Sequence, residues 1–145
     1  MKNKKAYSRA LRLLAGKSYS EEELKEKLSE YAAEPGIDGI IEECVKRGYL
    51  NDRALAEYLA EKYLKKTKGY LYILSVLERR KIRQDAIEEV KRDFDFEREF
   101  SEAEKFFLKN RKKKKLSSLL FSLKTKGFSY RSINRIMNMH RKTDE

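Results

Sequence analysis

The sequence predicts an all-α protein in which three tandem three-helix repeats form an elongated, curved rod. Charged residues make up 41% of the 145 residues and there is one proline, a composition that suits exposed helices better than sheets. Apolar residues recur along the chain at the three- and four-residue spacing of amphipathic helices. The pattern also starts again twice, which is typical of a repeat protein. We place the repeats at residues 1–50, 51–93 and 94–145.

Three short helices are expected in the first repeat. The second of them begins at Ser20, whose hydroxyl can accept a first-turn N–H while Glu23 reaches back to the cap. Pro35 and Gly36 break the chain before the third helix, which Asp38 can cap and Gly48 closes. The apolar positions of these helices are Tyr7, Ala10, Leu11, Leu14, Leu24, Leu28, Tyr31, Ile40, Ile41, Cys44 and Val45.

The second and third repeats each show the same three-helix pattern. In the second repeat, Asn51 or Asp52 caps the first helix and Gly69 precedes the next one. The third repeat starts after Asp93. Apolar positions in the two repeats are Leu55, Leu59, Ala60, Tyr63, Ile73, Val76, Leu77, Ile82, Ile87, Val90, Ala103, Phe106, Phe107, Leu116, Leu119, Leu120, Leu123, Phe128, Ile133, Ile136 and Met137.

Two nearly constant offsets relate the repeats. A shift of 49 residues carries three apolar positions of the first repeat, Leu14, Leu24 and Leu28, onto Tyr63, Ile73 and Leu77. A shift of 46 residues then carries five positions of the second repeat, Ile73, Leu77, Ile82, Ile87 and Val90, onto Leu119, Leu123, Phe128, Ile133 and Ile136. Chance alignment of amphipathic helix pairs is the alternative. Units of this size bury too little core alone and depend on their neighbours.

Positive charge is concentrated near the end of the chain. Residues 105–142 carry 13 basic residues and no acidic one, whereas residues 1–104 carry 22 of each. A localised positive field captures polyanions, so nucleic acid or an acidic protein groove is the expected partner. A solvated, lysine-rich surface is the alternative.

Fourteen basic residues form the predicted binding set. Ten lie in the basic segment: Lys109, Arg111, Lys112, Lys113, Lys114, Lys115, Lys124, Lys126, Arg131 and Arg135. Four flank the middle helix of the second repeat: Lys66, Lys68, Arg79 and Arg80. Neutralisation of this second group within the fold, by Glu78, Asp85, Glu88 and Glu89, is the alternative to partner contact.

The last helix keeps a second DNA-binding hypothesis open. Its polar face carries Arg131, Asn134, Arg135 and Asn138, and its packed side carries Tyr130, Ile133, Ile136, Met137 and His140. With the helix before it, this segment is similar to a helix-turn-helix, which reads base edges through one helix face. A helical scaffold for an acidic protein is a third hypothesis.

Catalysis, metal binding and membrane insertion have little support. His140 and Cys44 are the only residues of their types, too few for a zinc site and far apart for a nucleophile and its base. We expect no enzyme activity, no cofactor and no metal. Because a single cysteine excludes an internal disulfide and no signal peptide or apolar run of about 18 residues is present, we expect a soluble, cytoplasmic protein. We also expect it to be a monomer.

Two strings carry a resemblance to a known family. The first is GYLND at residues 48–52, followed by ALAEYL at 54–59, by Lys68 and Gly69, and by RRKI at 79–82. The second is KGFSY at residues 126–130, followed by Ile133. Together with the repeat spacing, these strings resemble the RecX family over about residues 7–137.

The resemblance implies a function that composition does not reveal. RecX proteins modulate the RecA recombinase by binding along the groove of its filament on single-stranded DNA. They restrain ATP hydrolysis, strand exchange and the coprotease activity that triggers the SOS response, so the resemblance implies a role in homologous recombination and DNA repair. It supplies no catalytic residues. The unbroken lysine run is unusual for the family, so two contacts stay open for it: contact with RecA and direct contact with single- or double-stranded DNA.

Overall fold

The computed structural model describes residues 4–31 and 36–141, and this part of the chain contains nine α-helices and no strand. The predicted all-α fold class is confirmed. The helices are α1 (Lys4–Gly16), α2 (Glu21–Ser29), α3 (Ile37–Lys46), α4 (Asp52–Lys65), α5 (Tyr70–Arg79), α6 (Gln84–Asp93), α7 (Phe96–Asn110), α8 (Leu116–Thr125) and α9 (Tyr130–His140). None of these helices is long and apolar enough to cross a bilayer.

Most helix ends follow the sequence signals. Ser20 Oγ accepts the backbone N–H of Glu23 at 3.1 Å, and Glu23 Oε1 accepts the N–H of Ser20 at 2.9 Å, so the predicted capping box is confirmed. Asn51 is the residue that caps α4, since its Oδ1 accepts the N–H of Ala54 at 3.0 Å. Gly48 follows α3 with a φ of +79°, a conformation that glycine adopts without steric cost.

The start of α3 differs from the prediction. Asp38 lies inside the first turn of α3, because the helix already begins at Ile37. Its carboxylate pairs with Lys25 at 3.2 Å instead of capping the helix. The predicted cap was therefore wrong, and the predicted break at Pro35 lies outside the described residues.

The chain packs into two compact units. The first contains residues 1–57 and 77–92, and the second contains residues 58–76 and 93–145. The boundary between the units runs through α4 and α5, so these units differ from the sequence repeats, whose boundaries stay a prediction.

The core of the first unit comes from α1, α2 and α3. Leu24, Leu28, Ile37 and Cys44 are fully buried there, together with Ala6, Ala10, Ile40, Ile41 and Leu50. Burial raises the pKa of the Cys44 thiol. The packed position and the raised pKa both describe a core cysteine with low thiol reactivity.

An ion pair in the first unit makes stability depend on pH. Burial acts to raise the pKa of Glu23, but the hydrogen bonds from Arg80 and from Ser20 N–H outweigh it, so the pKa lies below its ordinary value of 4.5. A carboxylate with a lowered folded pKa stabilises the fold above its unfolded pKa and loses this contribution as the pH falls through the folded value.

We therefore expect Glu23→Gln to lower the urea midpoint at pH 7 and to lower it progressively less as the pH falls below about 4.5. Urea unfolding of wild type and variant at pH 7 and pH 3 measures this difference. Glu22→Gln is the control, because Glu22 is exposed and makes no ion pair with the described chain. A Glu23→Gln deficit that is equal at both pH values would contradict the prediction.

The core of the second unit lies among α7, α8 and α9. Its buried members are Phe100, Ala103, Phe107, Leu119, Leu123, Phe128 and Ile136. Tyr130 was predicted on the packed side of α9, but its side chain is 79% exposed, so this prediction was wrong. At about 100° per residue, Tyr130 lies roughly 120° around the helix from Ile136, and no earlier turn of α9 covers it.

Candidate nucleic-acid interface

A buried carboxylate ties three helix segments of the second unit together. Glu99 on α7 is fully buried. It accepts the N–H of Tyr70 at 2.7 Å, where α5 begins, and the N–H of Ser129 at 3.0 Å, where α9 begins. The hydroxyls of Ser129 and Ser132 also donate to it, each at 2.5 Å. One side chain therefore fixes the starts of α5 and α9 against α7.

Asp52 on α4 makes the same arrangement in the first unit. It is buried and accepts the N–H of Glu21 at 3.0 Å, where α2 begins, and the N–H of Arg83 at 2.8 Å, just before α6. The pairs of equivalent positions differ by 49 residues (21 and 70), 47 (52 and 99) and 46 (83 and 129). These offsets agree with the repeat offsets in the sequence. From the sequence, Asp52 was predicted only as a possible cap.

Two glycine loops of the second unit lie in direct contact. The N–H of Gly69 donates to Lys126 O at 3.0 Å, and the N–H of Leu71 donates to Gly127 O at 2.9 Å. A Cβ atom on Gly69 would lie 2.2 Å from the Cα of Phe128, so only glycine permits this approach. The contact joins the loop after α4, which carries Lys66 and Lys68, to the loop after α8, which carries Lys126.

Aromatic rings hold several of these lysines. Lys68 Nζ lies 4.8 Å from the centroid of the Tyr72 ring, and Lys66 Nζ lies 5.9 Å from that of Tyr63. On the other loop, Lys126 Nζ lies 5.3 Å from the centroid of Phe106. Cation–π contacts restrain an ammonium group without neutralising it. The loop pair therefore presents positive charge from two parts of the sequence.

The four-lysine run occupies the loop between α7 and α8. Its lysines, Lys112, Lys113, Lys114 and Lys115, are all exposed. Asn110 O accepts the N–H groups of Lys113 and Lys114 at 3.0 and 3.2 Å, which folds the loop into turns. Within the described chain, neither the four lysines nor the neighbouring basic residues form an ion pair. These neighbours are Lys109, Arg111, Lys124, Lys126 and Arg131. The positive charge is therefore not compensated by the described part of the protein.

Two arginines of α9 lie against α7. The guanidinium of Arg135 lies 3.8 Å from the ring centroid of Phe100 and donates to both carboxylate oxygens of Glu97, at 2.8 and 3.0 Å. Arg131 lies 4.8 Å from the ring centroid of Phe96. A helix that reads bases needs such side chains free to reach base edges. These contacts weaken the helix-turn-helix hypothesis.

The remaining predicted residues, Arg79 and Arg80, lie in the first unit, whereas the lysine loops belong to the second. Arg80 donates to both carboxylate oxygens of Glu23, at 2.9 and 3.2 Å, and to Ser18 O at 2.9 Å. Arg79 is an exposed residue at the end of α5. The acceptor of Arg80 is thus an acid from α2, which is not one of the acids predicted to neutralise this group.

His140 belongs to the second unit and Cys44 to the first. His140 Nε2 lies 3.5 Å from Glu104 Oε2, and its ring centroid lies 4.6 Å from that of Phe107. Among the described residues, no group of three or more histidine, cysteine, aspartate or glutamate side chains is arranged to hold a metal ion.

Comparisons with known proteins identify the relatives of this chain. A family model described as the RecX first three-helix domain matches residues 6–47. Regulatory protein RecX of Pelodictyon phaeoclathratiforme is 35% identical over 89 residues, which cover 59% of this chain and only 55% of that protein. Regulatory protein RecX of Chlorobium phaeobacteroides is 30% identical over 141 residues, 94% of this chain and 93% of that protein. The crystal structure of RecX from Lactobacillus salivarius superposes with a TM-score of 0.80 and 25% identity, covering 93% and 94% of the two chains.

Proposed function

This chain belongs to the RecX family, and from that premise we propose that it is a non-enzymatic regulator of the RecA filament on single-stranded DNA. It restrains ATP hydrolysis, strand exchange and coprotease activity of the filament. It acts as a monomer in the cytoplasm, during homologous recombination, DNA repair and the SOS response.

One observation carries the proposal beyond the family name. The second unit presents four exposed lysines on the loop between α7 and α8, together with exposed Lys66 and half-buried Lys68 and Lys126 on the two glycine loops, and no described acidic side chain pairs with the four lysines. Such a surface gains binding energy by releasing the counterions of a nucleic-acid backbone. A filament that displays both protein and DNA phosphates is a partner of this kind.

The first unit has a different character and supports a different contact. Three of its arginines are engaged by acids: Arg80 by Glu23, Arg83 by Glu21 and Asp85, and Arg53 by Glu57 and Glu89. A mixed-charge surface suits a protein partner better than a polyanion, because ion pairs across an interface give specificity. We therefore orient the basic third repeat toward DNA and the rest of the chain toward RecA.

Regulation then follows from selective binding. A protein that binds one state of the filament more tightly than another shifts the filament toward the first state. If the favoured state hydrolyses ATP slowly, both hydrolysis and exchange slow down without any chemistry in the regulator. The basic loops supply affinity, and the protein contacts supply the preference between states.

Changing all four lysines of the run to glutamate (K112E, K113E, K114E and K115E) tests this proposal. We expect half-inhibition of DNA-dependent ATP hydrolysis by RecA to need at least about ten times as much of the variant as of the wild-type protein, because four phosphate contacts become repulsive. The measurement is a titration of wild type and variant into RecA on single-stranded DNA. Circular dichroism verifies that the variant is folded.

The control variant is Lys27→Glu combined with Lys46→Glu, two exposed lysines of the first unit that make no ion pair in the described residues. If inhibition of RecA weakens equally per reversed charge in both variants, net charge alone determines the inhibition. The assignment of the basic third repeat to the DNA side would then be wrong. Folded wild-type protein that fails to inhibit at saturating concentration would remove the proposed function.

A further inference from the structure

The exposed face of α8 carries one aromatic ring among polar side chains. Phe121 is 70% exposed, although the other apolar residues of α8 turn toward the core of the second unit. The exposed positions around it are Ser117, Ser118, Lys124 and Thr125. Each of them lies three or four residues from Phe121 and therefore shares its helix face. The ring therefore lies open on a polar surface.

This ring lies within the uncompensated positive charge. Lys124 lies three residues after Phe121 on the same helix face, and the lysine loop immediately precedes α8. The flanking acids along the sequence are Glu104, 17 residues earlier, and Asp144, 23 residues later. Lys114, Lys115 and Lys124 make no ion pair with the described residues. An anionic ligand that also offers a flat apolar surface matches this combination.

We propose that the exposed face of α8 is a stacking site for single-stranded nucleic acid, in which one base lies on Phe121 while Lys114, Lys115 and Lys124 contact phosphates. Unpaired bases stack on exposed aromatic rings, and lysines track the backbone in such sites. A duplex offers the phosphates but keeps its base faces covered. The site is therefore selective for single strands without reading sequence. This inference deepens the proposed contact with DNA, but its test does not need RecA.

A protein partner fits this surface less well. A stable protein interface buries about 800 Å² on each side and has an apolar centre. On α8 itself, the polar neighbours of Phe121 leave one exposed ring, which is too little for such a centre. One ring is nevertheless a complete platform for one base.

Tryptophan fluorescence tests the stacking directly. The chain contains no tryptophan, so Phe121→Trp places a single reporter on α8. We expect oligo(dT) of about 12 nucleotides, within the usual size of such sites, to quench the emission. An abasic oligomer of the same length, with the same phosphates, should leave it unchanged. The control is Tyr58→Trp, which replaces a 61% exposed ring on α4 near Glu57 and Glu61 and should respond to neither oligomer.

Affinity measurements with Phe121→Ala give the second test. We expect a loss of about five- to one-hundredfold for oligo(dT), with unchanged affinity for the abasic oligomer and for duplex DNA. The salt dependence should also stay unchanged, because no charge is removed. Equal losses for oligo(dT) and the abasic oligomer, or no loss for either, would overturn the inference.

The experiments distinguish a failure of the stacking site from a failure of the proposed function. If Phe121→Ala weakens RecA inhibition but leaves oligo(dT) binding intact, the ring contacts protein, and the stacking site is wrong while the proposed function stands. If wild type does not inhibit RecA but loses oligo(dT) affinity on Phe121→Ala, the stacking site stands and the proposed function is wrong.

Discussion

Glu99→Ala should lower the free energy of unfolding by about 4 kcal/mol, the largest effect that we expect from a single substitution. The change removes the carboxylate that accepts four hydrogen bonds in the second unit, from Tyr70 N, Ser129 N, Ser129 Oγ and Ser132 Oγ. A buried donor left without an acceptor costs about 1–3 kcal/mol. The starts of α5 and α9 would both lose their attachment to α7. Urea unfolding followed by circular dichroism measures the loss.

Glu97→Ala is the matched control, because Glu97 lies two residues away on α7 and pairs with Arg135 at the surface. Exposed ion pairs contribute less than about 1 kcal/mol. The loss of unfolding free energy for Asp52→Ala should lie between the losses for Glu99→Ala and Glu97→Ala, since Asp52 accepts two backbone N–H groups. Similar losses for Glu99→Ala and Glu97→Ala would contradict the role of Glu99.

Gly69→Ala should lower the free energy of unfolding by about 3 kcal/mol. A Cβ atom at this position would lie 2.2 Å from Phe128 Cα and 2.4 Å from Phe128 N, and both of these are backbone atoms that cannot rotate away. The loops must separate, which breaks the hydrogen bonds of Gly69 N and Leu71 N. The variant should also bind DNA more weakly, because Lys66 and Lys68 move away from Lys126.

Gly39→Ala serves as the control for this substitution. Gly39 lies inside α3, and a Cβ atom there has no neighbour within 4 Å. Alanine at an unstrained helix position stabilises by about 0.4–1 kcal/mol, because it reduces the entropy of the unfolded chain. Equal stability of the Gly69 and Gly39 variants in urea would show that the two loops are not in close contact.

The helices were predictable because their signals are local. The capping box of Ser20 and Glu23 and the left-handed Gly48 act within one turn, and the buried faces follow from apolar spacing. The four lysines lie between the apolar patterns of α7 and α8, and they form the loop that joins these helices. Asp38 failed as a cap because a residue type that favours caps also favours the first helical turn.

The assembly of the candidate site was not predictable, because it depends on contacts between distant residues. Lys68 and Lys126 are 58 residues apart in the sequence, and helix periodicity does not state which loops meet. In the sequence, Glu99 does not differ from other acids in a first helical turn, because its role depends on four donors from other segments. Phe121 looked like another member of an apolar helix. Its exposure depends on which side of α8 meets α7 and α9.

The paired roles of Asp52 and Glu99 suggest how such a chain grows by tandem duplication. In each case an acid near the start of one helix accepts a backbone N–H at the start of the helix two before it in the chain: Asp52 of α4 from Glu21 of α2, and Glu99 of α7 from Tyr70 of α5. A duplicated segment that begins with this helix brings its own attachment to the existing protein. A new copy is therefore attached to the existing protein by this acid from the start. Its other surfaces can then change to bind new ligands.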